Sequence, residues 1–163
     1  MVQAKYSVMK YFTRLLWGGL FLLLFSTCEK EEEASISRIT QGTFFCECFG
    51  ECLSVAIVTE RAFEFSTYQT CSATSLRQRD CAEPLVVGEF QQLSSLVDWD
   101  AFREMEEVIG CPDCADGGGQ WIEISRGGEV HRVEYEFGDP PTELAELVEE
   151  LSQRVVGLVN AGC

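Results

Sequence analysis

Eight cysteines share the acidic part of the chain: Cys46, Cys48, Cys52, Cys71, Cys81, Cys111, Cys114 and Cys163. They are dense in two places, FFCECFGEC (residues 44–52) and GCPDC (residues 110–114). Thiols at these spacings suit three chemistries. Cys48, Cys52, Cys111 and Cys114 have the spacing of a structural four-thiolate zinc site. Cys111-Pro112-Asp113-Cys114 has the form of a redox dithiol, whose reactive thiol needs a helix N-terminus or a cationic neighbour to lower its pKa. Here the motif runs into Ala115-Asp116-Gly117-Gly118-Gly119 among carboxylates, which oppose thiolate formation. The third chemistry is the disulfide, favoured by an even cysteine count in an exported chain.

The pairing is open at this level. If Phe49-Gly50-Glu51 is a hairpin tip, Cys48 and Cys52 face each other across it, at the close end of what a disulfide spans. Cys46 and Cys48 stand two apart on one strand and should not bridge. A clasp between Cys48 or Cys52 and Cys111 or Cys114 would close roughly 60 residues, worth about 4 kcal/mol in the chain-entropy model.

Other chemistry-bearing residues are few. His131 is the single histidine, so Ser–His–Asp or Cys–His catalysis would have to use it. It falls mid-strand beside Val133 and Tyr135, where a packed or hydrogen-bonded histidine is expected. Glu123, Glu134 and Glu136 share a strand-face pattern that could form a paired-carboxylate site, although solvated strand faces commonly carry such charges. Asp113, Asp116 and the glycines after them offer oxygens for calcium without the ligand spacing of a calcium loop. No catalytic constellation stands out, and the expectation is a non-enzyme with no cofactor, structural zinc being the alternative.

These residues have to be held by elements that the pattern makes visible. Strands are predicted at Ile36–Gln41, Leu53–Thr59 and Ala62–Tyr68. A further hairpin spans QWIEISRGGEVHRVEYEF, turned at Gly127-Gly128, where two positive-φ residues suit a two-residue loop. Helical spacing runs through Glu89–Gly110, with Asp98 placed to cap a second short helix. A C-terminal helix begins near Pro140, Pro141 or Thr142 and buries Leu144, Leu147, Leu151, Val155 and Leu158. Residues 69–87 show no periodicity and read as an irregular connection held by Cys71 and Cys81. The predicted fold is α+β: an antiparallel sheet of two hairpins, two helical segments packed on one face, stapled by disulfides.

The N-terminus sets the compartment. Lys5, Lys10 and Arg14 precede an apolar run, Leu15–Phe25, of signal-peptide length and too short to span a bilayer. Met9 is an alternative start. Ser26-Thr27-Cys28 resembles a lipobox, with Phe25 departing from the usual aliphatic residue, so residues 1–27 read as a lipoprotein signal and Cys28 as the lipidated residue. Residues 28–34 form an acidic tether, similar to the signal by which Bacteroidota export lipoproteins to the outer face of the cell. Residues 35–163 form one domain. This implies an outer-membrane lipoprotein exposed at the surface, a periplasm-facing anchor being the alternative, and acylation gives membrane attachment without a spanning helix. Three of the 12 Lys and Arg precede Cys28, leaving nine against 27 Asp and Glu, a formal −18. Such a charge excludes nucleic acid and direct adhesion to anionic lipid.

The block CPDCADGG…WIEI (residues 111–124), FGEC at the first tip and Pro140-Pro141-Thr142-Glu143-Leu144 together resemble a family of small, uncharacterised bacterial lipoprotein domains. The resemblance spans about residues 36–158 and implies no activity. The element order is also loosely similar to emfourin-type inhibitors of thermolysin-like metalloproteases, an architectural likeness only. The functional expectation is therefore a membrane-anchored binding or interaction module with a protein partner or extracellular ligand. A thiol-based protein using Cys111 and Cys114, and a protease inhibitor presenting the Phe49–Glu51 or Cys111–Gly119 tip, are the alternatives.

Overall fold

The structure, a computed structural model, describes residues 34–163. The expected signal (residues 1–27), the expected lipidation residue Cys28 and most of the expected acidic tether lie outside the described residues. The polypeptide forms β1 (Ile36–Phe44), β2 (Leu53–Val58), β3 (Ala62–Tyr68) and β4 (Arg77–Pro84). Next come α1 (Glu89–Ser95), α2 (Trp99–Arg103), β5 (Val108–Ile109), β6 (Gly119–Arg126), β7 (Glu129–Glu136) and α3 (Ala145–Asn160). The seven strands make one sheet in the order β4-β3-β2-β1-β6-β7-β5. Every pairing is antiparallel except β5 with β7.

Alternation decides which face is covered. Ile39, Val58, Phe63, Ile122, Ile124, Val133 and Tyr135 project to one side and are fully buried or nearly so. There they meet Phe90 and Leu93 of α1, Trp99 and Phe102 of α2, and Leu147 and Leu151 of α3. All three helices therefore pack on the same face. Each large apolar side chain buried in this way contributes about 2 kcal/mol. The β6–β7 hairpin turns where the repeated glycine predicts it, with Gly127 at φ 60° and Gly128 at φ 86°, a pair of positive values that matches the strand twist.

Four expectations change. β1 continues to Phe44, three residues beyond the predicted end. Residues 77–84, read as irregular, form β4, with Cys81 opposite Phe65. An edge strand needs no apolar alternation, because one edge and most of both faces meet water. The helical span Glu89–Gly110 divides into α1 and α2 as expected, with the Asp98 side chain accepting hydrogen bonds from the Asp100 and Ala101 N–H groups. Its last residues leave the helix altogether: Val108 and Ile109 run parallel to β7, and Glu134 N donates to Glu107 O at 2.9 Å. At the C-terminus a 3-10 turn at Thr142–Leu144 precedes α3.

Arg154 of α3 ties the helices to the far edge. Its guanidinium donates to Glu83 of β4 at 2.8 Å and to Glu89 of α1, and it lies over the Phe63 ring at 5.3 Å. The hydrogen bond from Arg154 holds the Glu89 carboxyl below its ordinary range.

Candidate functional site on the uncovered sheet face

Among the described residues no helix lies on the opposite face of the sheet, and that face is not uniformly polar. Gly42 of β1 lies beneath the Trp121 indole of β6, so closely that a Cβ at position 42 would overlap the ring. The other side of that ring carries Arg132, whose Cζ sits 3.9 Å from the ring centroid. Arg132 is itself fixed by Glu123 Oε2, which accepts from Nε at 3.0 Å and Nη2 at 2.7 Å. A guanidinium stacked on indole and bonded to a carboxylate contributes about 1–2 kcal/mol and has little freedom left.

Beside this stack is an open cavity of about 500 Å³, lined by Phe44, Leu53, Val55, Trp121, Arg132 and Glu134. Its wall is the Cys46–Cys71 bond with Ser72 and Ala73. That bond joins the β1–β2 loop to the β3–β4 loop, with Cα atoms 5.3 Å apart. The Glu134 carboxylate has no side-chain partner among the described residues.

Next to it, Cys48 and Cys52 close a ring of five residues around Phe49, Gly50 and Glu51. Their Cα atoms are 5.6 Å apart. The pair lies in the loop beyond the ends of β1 and β2, not within the paired strands. Gly50 takes φ 108° at the tip, a conformation that strains any L side chain. Glu51 accepts from Thr67 Oγ1 at 2.9 Å and Arg79 Nε at 3.2 Å, and Cys52 N donates to Tyr68 O. Phe49 is fully exposed on this fixed support.

The anticipated clasp between the two cysteine-dense motifs does not form. Cys111 bonds to Cys114, with Cα atoms 5.5 Å apart, and closes only its own turn. The turn brings the two residues together before any distant partner can, since Cys114 N already donates to Cys111 O at 3.1 Å. The fourth bond, Cys81–Cys163, ties edge strand β4 to the residue after α3. With each thiol in its own bond, Cys48, Cys52, Cys111 and Cys114 are not assembled as a quartet. Among the described residues no group of three or more His, Cys, Asp or Glu stands where it could hold a metal ion. Asp113 is otherwise engaged, its Oδ1 accepting from Gly118 N at 3.1 Å.

The remaining candidates are dispersed. His131 lies on the helix side, its Nε2 3.2 Å from Met105 O and its ring edge-on to Phe102 at 5.2 Å. Glu123 belongs to Arg132, while Glu136 Oε1 accepts from Cys111 N at 3.0 Å. Glu123 and Glu134 thus both lie beside the Trp121–Arg132 stack, while Glu136 is turned to the Cys111 backbone. The reading from sequence missed the cavity, because Gly42, Trp121 and Arg132 are separated along the chain and only register brings them together. Comparison with family models and with curated proteins found no match for this chain.

Proposed function

We propose that this chain is an exported lipoprotein, held at a membrane through Cys28, that works as a non-catalytic binding module through its uncovered sheet face. One observation carries the reading: the apolar cavity beside the Trp121–Arg132 stack. A solvent-facing antiparallel surface ordinarily presents polar side chains, whereas Phe44, Leu53, Val55 and Trp121 line this one. Its wall is braced covalently by Cys46–Cys71, and a wall already ordered costs less to complete a complex. A pocket of this size, mostly apolar with a few fixed polar groups, is the general form of a ligand site. The acidic tether and the resemblance to small Bacteroidota-type lipoproteins support placement on the outer membrane facing outward, with a periplasm-facing anchor as the alternative.

After signal removal the chain keeps two tryptophans, Trp99 in the core and Trp121 at the cavity. Intrinsic fluorescence of the purified lipoprotein, titrated with fractionated envelope and culture extracts, should show a saturable change with one fraction. Ala73→Phe, which fills the cavity from its wall, should abolish that change. An undiminished change in the variant, or no saturable fraction at all, would remove the reading.

A second reading, a protease inhibitor, draws on Phe49 alone. An exposed aromatic residue on a rigid ring suits insertion into an apolar pocket, although the tight turn at Gly50 offers the side chain and not an extended backbone. Inhibition of a member of a protease panel by the wild type and not by Phe49→Ser would support it. A panel with neither inhibition nor a stable complex would eliminate it.

A further inference from the structure

The Cys111–Cys114 loop differs from the other three disulfide sites in ways that bear on chemistry. Cys111 and Cys114 are both exposed, whereas every other bonded pair among the described residues has at least one member partly or fully buried, Cys52 being 1% exposed. The loop also carries three non-glycine residues in the left-handed region: Asp113 at φ 58°, Ala115 at φ 55° and Asp116 at φ 59°. Asp residues tolerate that region through local hydrogen bonds, and Asp113 has one with Gly118; alanine has no such compensation. The surroundings hold the loop in place. Cys111 N donates to Glu136, Asp113 N donates to Gly118 O at 2.9 Å, and Gly118 is packed against the Phe45 ring. Opening the bond frees only the two residues between the cysteines. It leaves the sheet, the helices and the other three bonds untouched.

We propose that Cys111–Cys114 is a redox site: a disulfide that exchanges with an external dithiol reductant while the domain stays folded. Exposed or strained disulfides are the labile ones in thiol exchange, and access decides which sulfur is attacked. In the first step a thiolate of the dithiol attacks one sulfur of the pair. The S–S bond breaks, and the other cysteine leaves as a thiolate that takes up a proton. The second thiol of the reductant then attacks the mixed disulfide, releasing the first cysteine as a thiol and closing the reductant into its own disulfide. In total, two electrons and two protons pass from the dithiol to the protein. Of the three left-handed residues only Asp113 lies inside the ring that the bond closes, and its hydrogen bonds with Gly118 do not involve the sulfurs, so what distinguishes the site is access to the bond. The neighbouring carboxylates Asp113, Asp116 and Glu136 disfavour thiolates both where a cysteine departs and where the reduced pair would attack, so exchange in either direction is slow and the selectivity of the site comes from access to its sulfurs. This inference stands apart from the binding reading, since it requires no occupant in the cavity.

The test is a redox titration of the purified lipoprotein in dithiothreitol buffers of graded ratio, with alkylation and peptide mapping at each step. Cys111 and Cys114 should be alkylated at ratios where the other six bonded cysteines remain oxidised and near-ultraviolet circular dichroism is unchanged. Reduction of Cys111–Cys114 together with or after the other bonds would overturn the proposal.

Discussion

Gly42 illustrates how one residue can set a surface. With no side chain, it lets the Trp121 indole lie against the β1 backbone, and Arg132 then covers the exposed side of the ring. Gly42→Ala should push the indole off the strand and unseat the guanidinium. The expected loss is about 2 kcal/mol of stability, in the range of overpacking at a filled site, read as a lower urea midpoint. An unchanged midpoint would mean that the ring moves at no cost. In the sequence Gly42 is an ordinary glycine late in a strand, because its importance comes from a residue 79 positions away. Cys111 and Cys114 are different: their spacing marks them at once, yet their bonding partners follow from backbone geometry that no spacing reveals. Phe49 was legible as a tip residue, but its complete exposure depends on the Cys48–Cys52 ring.

At the scale of elements, the sheet shows where pattern is informative. β7 alternates between buried and solvent-facing residues while β6 is buried on both faces over its first half, so the alternation of β7 and the glycine pair disclose the hairpin. β4 lies at the edge with most of its residues exposed, leaving no apolar alternation to detect. Residues 105–110 kept helical spacing in the sequence, but pairing with β7 drew Val108 and Ile109 into the sheet. β4 and α3 are held by Arg154 with Glu83 and Glu89, and by Cys81–Cys163, whose residues stand 82 apart. Replacing Cys81 and Cys163 together by serine should cost up to about 4.5 kcal/mol by loop-closure entropy, seen as a fall in Tm.

The ion pair makes its own pH prediction. Glu89 is depressed below its ordinary value of 4.5 by Arg154. A depressed carboxyl stabilises the fold above its unfolded pKa and loses that contribution as pH falls through the folded one. Glu89→Gln should therefore lower stability by about 1 kcal/mol at neutral pH. The gap to wild type should close in acid, below pH 4.5, when unfolding is followed across pH. A gap that widens in acid would show that Glu89 is not stabilised as the carboxylate.

At the scale of the whole molecule, the proposed lipid anchor at Cys28 would hold a domain rich in disulfides at a membrane. Cys28→Ala should abolish incorporation of labelled palmitate and move the protein out of the membrane fraction. Retention of either in the variant would refute the anchor. The fold class was legible because helices and one hairpin are periodic, whereas the proposed compartment rests on the local pattern of residues 1–28 alone. The cavity face was not legible, since it is assembled from four strands and two loops by register and covalent bridges. Everything proposed for that face depends on those bridges: Cys46–Cys71 walls the cavity and Cys48–Cys52 carries Phe49. The most direct test is therefore a non-reducing peptide map of the purified lipoprotein, with a free-thiol count and zinc content. The account predicts linked peptides joining Cys46 to Cys71, Cys48 to Cys52, Cys81 to Cys163 and Cys111 to Cys114, with no free thiol among the eight. A link from Cys48 or Cys52 to Cys111 or Cys114, or free thiols accompanied by stoichiometric zinc, would contradict it.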